Sequence, residues 1–139
     1  MATLAGATAE LVAVIAAVSG INHAPSEPTE QITTYPTAQT YTTGGSSINE
    51  PPGVEKSLHS INIAVLMPLN DIRQAIKVML PLYETIVAAI YTHRNGRTSS
   101  HYATFGALNY TLGPVDWPSG QLMYGYIFTL DGVKIQNNI

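Results

Sequence analysis

The stretch Ile72–Tyr91, "IRQAIKVMLPLYETIVAAIY", decides how this chain is read. Ile72, Ile76, Met79, Tyr83, Ile86 and Ile90 recur at helical spacing and stay in phase across Pro81. A proline at that point cannot donate to the Lys77 carbonyl, and its ring crowds that oxygen. Forcing such a helix straight costs about 3 kcal/mol. The sequence therefore predicts either a kink near Pro81 or a break after which Pro81 opens a second helix. In both cases the two halves turn one apolar face to one core. Asn70 or Asp71 supplies the N-terminal cap.

The flanking segments supply the surface for that face. "HSINIAVLM" (59–67) places Ile61, Ile63, Val65 and Met67 on one side of a half-buried strand. "HYATFGALNYTL" (101–112) and "QLMYGYIFTL" (121–130) read as two more strands. The second of them aligns Leu122, Tyr124, Tyr126, Phe128 and Leu130. Asp131-Gly132 then permits either a tight turn into "VKIQ" or a bulge that bends one long strand. Upstream, "TAQTYTTGG" (37–45) supplies a Thr/Tyr-rich strand inside a loop-rich excursion at about 22–56, which holds prolines 25, 28, 36, 51 and 52. A loop of this kind is either disordered or in contact with something, and Gly44–Gly53 is expected to order only on assembly. At the N-terminus, Leu4, Leu11, Ile15 and Val18 fall at helical spacing, with Ser19-Gly20 as the stop. The run "LVAVIAAV" is too short to span a bilayer, and Glu10 rather than a cation precedes it. It reads as a buried helix of a soluble, non-secreted protein.

Together these elements predict an α+β fold: an antiparallel or mixed sheet with two main helices packed on one face, in a single domain covering 1–139.

The chain holds no cysteine, which excludes disulfides, thiolate metal sites and thiol catalysis. Charged residues make up only 11% of its 139 residues and apolar ones 45%, against about 25% charged in ordinary domains. Either another chain covers part of this surface, or the monomer is apolar and tightly folded. No phosphate-binding loop, nucleophile elbow or zinc-helix motif occurs. The four histidines (23, 59, 93 and 101) lack paired metal-ligand spacing, and the acids are scattered. No catalytic, cofactor-binding or metal-ligating residue is therefore assigned. A small hydrolase using His93 or His101 is the reading from a different class.

All five charges before residue 56 are acidic (Glu10, Glu27, Glu30, Glu50 and Glu55), whereas the remainder holds all six cations and four acids. Such asymmetry suits head-to-tail contact between copies, with Glu27 and Glu30 meeting Arg94 and Arg97. Chance distribution over solvated surfaces gives the same count. The plainer account of Arg94 and Arg97 is that they offset a helix dipole. A net charge of −3 without a basic stripe argues against nucleic-acid binding. Trp117, in the Pro/Gly loop "GPVDWPSG", is either an interface anchor or a local core plug.

The layout of an Ala-rich first helix, "TTYPTAQTYTTGG", "INEPPGVEKSLHSINIAVLM", a Pro-interrupted helix ending "LYETIVAAIY" and a terminal "DWPSGQLMYGYIFTLDGVKIQ" resembles the small neck proteins of long-tailed bacteriophages. Lambda-type tail terminators and tail-completion proteins are the nearest family. The resemblance covers most of the chain as layout, without a diagnostic motif. It implies a virion protein assembled in the host cytoplasm, forming a homo-hexameric ring. That ring would cap the tail tube protein, meet the head-tail connector protein, and pass DNA through a central channel without binding it specifically. No membrane or cofactor is implied. A head-tail adaptor or a tail-tube protein shares the composition.

Overall fold

The computed structural model describes residues 3–28, 32, 34–49, 54–69, 72–95, 105–118 and 120–138. Its elements follow in the order α1 (Leu4–Ala16), β1 (Thr37–Asn49), β2 (Val54–Pro68), α2 (Ile72–Met79), α3 (Leu82–Asn95), β3 (Ala107–Asp116) and β4 (Leu122–Asn138). The strands form one sheet in the order β1-β2-β4-β3, and every neighbouring pair is antiparallel. The α+β expectation holds.

Helix α1 begins at Thr3, whose hydroxyl accepts the Gly6 amide at 2.9 Å. Its Ala7, Leu11 and Ile15 are buried, and so is Val18 just beyond its end. Gly20 closes the turn with φ +100°, a conformation glycine adopts without strain, and a Cβ there would also press on Leu82.

The helix over 72–91 breaks. The Leu80 amide still reaches the Ile76 carbonyl (2.9 Å), residues 80 and 81 form a turn, and α3 starts at Leu82. The phase survives the interruption, since Met79, Leu82, Ile86 and Ile90 are all buried. Ile72 departs from the expected face and is 54% exposed. By length and composition alone the Ile72–Thr92 stretch is apolar enough to cross a bilayer. In the fold it is two helices whose apolar face lies on the sheet.

That face carries Ile61, Ile63 and Val65 of β2 opposite Leu130, Phe128 and Tyr126 of β4, packed against residues of α1, α2 and α3. A second, smaller cluster occupies the other face. There Ile32, Trp117 and Met123 cover Ala64 and Leu66, so β2 is buried on both sides at its centre.

Two stretches differ from the sequence reading. The run Ser46–Asn49, expected as loop beyond a strand ending at Gly45, continues β1 and pairs with Glu55–Leu58 of β2. Residues 50–53 lie outside the described ones. Ser and Asn have weak strand propensity, but the β2 ladder carries the pairing. Gly45 has a positional reason as well, because a Cβ there would strike the Leu58 carbonyl. Strand β3 runs to Asp116, taking in Gly113-Pro114, which the sequence suggested as loop. An edge strand tolerates such a proline, since an outward amide has no ladder partner to lose. Of the expected strand start, 101–104 lie outside the described residues.

The bulge alternative at Asp131-Gly132 is the one observed. Register shifts in both β2–β4 and β1–β2 fall around Ser60, and Gly132 has φ +72°. Ser60 Oγ donates to Asp131 Oδ1 (2.9 Å), Asn109 Nδ2 donates to Asp131 Oδ2 (3.1 Å), and the Gly106 amide donates to the Asp131 carbonyl (2.8 Å). These bonds pin one bend across three strands.

Candidate interaction groove

The two outer strands of the sheet are β1 and β3. Hydrogen bonding at the start of β1 shows which of its groups face outward. The Ala38 amide donates to the His23 carbonyl at 2.8 Å, away from β2, in a short parallel bridge between His23 and Thr37. Strand alternation then turns the amides and carbonyls of Thr40 and Thr42 outward as well. Among the described residues, His23 pairs with the first step of this edge.

Along that outward edge lies an open groove of about 570 Å³. Leu4, Ala5, Ala9 and Val12 of α1 form one wall, Thr40–Thr42 the other, and Ser26, Glu27 and Pro28 close it. A second hollow of about 270 Å³ shares Leu4 and Thr42 and continues along Gly44–Ser47 to His59. The pair makes an apolar trough beside the outward backbone of Thr40 and Thr42, which has no ladder partner among the described residues, the geometry into which an extended segment adds as a further strand. The sequence did hold a sign of it. Ala5, Ala9 and Val12 are apolar yet stand off the stripe that α1 turns to the core. The neighbouring chain path that converts them into a wall is not local in sequence.

The residues singled out from sequence fall as follows. Glu27 is exposed and lines the groove. Glu30 and Arg97 lie outside the described residues, and so does the side chain of Arg94 in the last turn of α3. Trp117 is 8% exposed and packs with the second-face cluster, its ring 6.4 Å from Tyr41 in an edge-on arrangement. It is a plug of its own subunit, which leaves little indole for a partner. As the single tryptophan, it reports this directly. Its emission is expected to be blue-shifted in the isolated subunit, to stay unchanged on self-association, and to shift red only on unfolding. A shift on association would place the ring at the contact.

Three polar arrangements were candidates for chemistry. Thr37 and Gln39 are fully buried and joined to His23, with His23 Nδ1 2.9 Å and Gln39 Nε2 2.8 Å from Thr37 Oγ1. This network braces the start of β1. His59 Nε2 lies 2.9 Å from Ser57 Oγ at the far end of the trough. In the Ser60–Asp131–Asn109 cluster Ser60 and Asn109 each donate to one oxygen of the Asp131 carboxylate, an arrangement that holds the bulge. His93 lies in α3 with its side chain outside the described residues, and so does all of His101. Among the described residues no group of three or more His, Asp or Glu is placed to hold a metal ion.

An aromatic cluster lines the other side of the sheet's helix face. Tyr83 of α3 stands 4.8 Å from Tyr110 and 6.1 Å from Phe128, and Tyr126 stands 5.0 Å from Phe128. Burial raises the Tyr126 phenol above its ordinary value, with Tyr110 and Glu84 adding to the shift. A phenol raised in the folded state contributes stability that is complete below the unfolded value and is lost as pH rises through the folded one. Denaturant midpoints are therefore expected to hold steady through neutrality and fall above about pH 10. Tyr126→Phe should flatten part of that fall.

No family model matches the chain, and no curated protein does either.

Proposed function

We propose that this chain is a structural assembly subunit of the bacteriophage tail and neck, working as a tail terminator does: copies associate into a ring that caps the tail tube and joins it to the head connector. The observation that supports this reading is the trough beside the outer edge of β1, where among the described residues no further strand pairs with Thr40–Thr42 and an extended polypeptide would fit. The low charge content and the acidic bias of the first 55 residues support it, and the sequence layout supplies the phage context. A channel through such a ring would pass DNA without holding it, since few fixed cations would bind phosphate.

Negative-stain electron microscopy of the purified protein, alone and mixed with tail tubes, tests the proposal. Rings with a central opening that sit on tube ends and limit tube length would support it. Single particles without rings, and tubes whose lengths are unaffected, would overturn it. Rings that stack into tubes by themselves would favour the tail-tube alternative.

A further inference from the structure

We infer that the α1–β1 trough of one copy receives the β3 edge of the next, so that subunits join head to tail with their sheets continuous. This rests on the assembly reading above and adds which two surfaces meet and in what orientation.

The opposite edge of the sheet carries a complementary feature. Tyr110 on β3 is 50% exposed on the helix face, and Leu80, Ile72 and Leu122 are exposed to a similar degree. Tyr83, just past Leu80, packs against Tyr110 with the rings tilted by 38°, and the Leu69 amide bonds the Leu122 carbonyl at 3.2 Å. The first contact sets Tyr110 beside the start of α3 at one end of the margin where α2 and α3 meet β3 and β4, and the second sets Leu122 beside the approach to α2 at the other. An apolar ridge thus lies at one edge of the sheet and an apolar trough at the other. Both are on the helix side, since Thr40 and Thr42 share the face of Ile61 and Ile63.

Charge agrees with the same pairing. Exposed Arg73 and Lys77 stand one turn apart on α2 beside the ridge. The trough is lined by the exposed Glu27, and no lysine or arginine occurs before residue 56. Glu84 in the first turn of α3 is also exposed, so the ridge side carries two cations to one acid, and ridge into trough is the combination that brings Glu27 opposite those cations.

Topology fixes the orientation. With four alternating strands, β1 and β3 run in opposite directions. A second copy in the same orientation therefore presents its β3 antiparallel to the first copy's β1, with the helix layers continuing on one side. The contact is heterologous, so it closes into a ring if the rotation between copies permits.

The absence of cysteine makes the test direct. Thr42→Cys and Tyr110→Cys are prepared as separate proteins, both at exposed positions on the helix face. They are treated with a short bifunctional thiol reagent alone and after mixing, and masses are measured without reagent in parallel. Cross-linked dimers only in the mixture, and a ladder of higher multimers from the double variant, are the expected result. Dimers from Thr42→Cys alone would show a two-fold contact at the trough and overturn the inference. Oligomers that yield no cross-link with either variant or the mixture would overturn it while leaving the ring reading intact. A protein that stays monomeric at every concentration, with parent-like circular dichroism, would overturn both.

Discussion

Gly125→Ala is expected to destabilise the fold by about 3 kcal/mol, a large share of the roughly 5–15 kcal/mol that holds a domain of this size together. Gly125 sits in β4 between Leu66 of β2 and Gly113 of β3. A Cβ there would run into the Val65 carbonyl oxygen and crowd Leu66 Cα. Both obstacles are backbone in the central ladder, so no rotamer change relieves them. Either β2 moves away, breaking pairs that carry Ile63, Val65 and Leu66, or β4 does. Gly113 is the internal control: it faces Gly125 across the β3–β4 ladder, and a Cβ there meets nothing within 4 Å. Gly113→Ala should stay within about 0.5 kcal/mol of the parent. Urea midpoints of the two variants make the comparison. Equal midpoints would mean that the close approach of β2 and β4 at Gly125 is not as described.

Thr42→Pro is expected to separate assembly from folding. The Thr42 amide points away from β2 by the same alternation that sends the Ala38 amide to His23. Proline there removes no bond of the β1–β2 ladder, and strand edges accept it on their outward side. The monomer's circular dichroism and melting temperature should therefore stay close to the parent's. An incoming strand, however, would lose a donor and meet the ring. At about 3 kcal/mol for the missing bond and the clash together, association at each contact should weaken roughly a hundredfold. Sedimentation over a dilution series reads this directly. Unchanged association with an intact fold would show that copies do not meet at this edge.

Much of the fold was legible because it depends on local pattern. The helix over 72–91 could be read with its interruption, since Pro81 removes a specific donor and the apolar phase resumes beyond it; the reading named Tyr83 and Ile86, whereas Leu82 and Ile86 are the buried pair and Tyr83 is half-buried. The alternation in β2 and β4 was strong enough to name the core face residue by residue. Ser46–Asn49 was missed because Ser and Asn carry little strand signal of their own; they are strand because β2 lies beside them. The end of β3 was missed for a related reason. Gly113-Pro114 is a loop signature everywhere except at a sheet edge, and edge position depends on the order β1-β2-β4-β3, which no local pattern encodes. Exposure of Ile72 and Leu122 likewise depends on where the helices stop short of the sheet margin.

The candidate site was less visible than the fold. Trp117 stood out as a lone aromatic in a loop, and both its readings were open until the path of Ile32 over the second face was known. The trough is made by residues far apart in sequence: the off-stripe side of α1, the outward edge of β1 and the turn at Ser26–Pro28. From sequence alone its acidic character and the off-stripe apolar residues of α1 could be noticed, but not that they share a surface. Where charge does enter the contact, exposed pairs such as Glu27 with Lys77 are worth about 0–1 kcal/mol each. High salt should therefore slow assembly without abolishing it, the apolar ridge and the strand edge supplying most of the affinity.

Self-association is the claim on which the rest depends, and native mass measured across a wide concentration range tests it most directly. The account predicts a single discrete species at six times the 14.9 kDa chain mass, with no accumulation of a two-fold dimer on dilution. A 14.9 kDa monomer persisting at the highest concentration would contradict it.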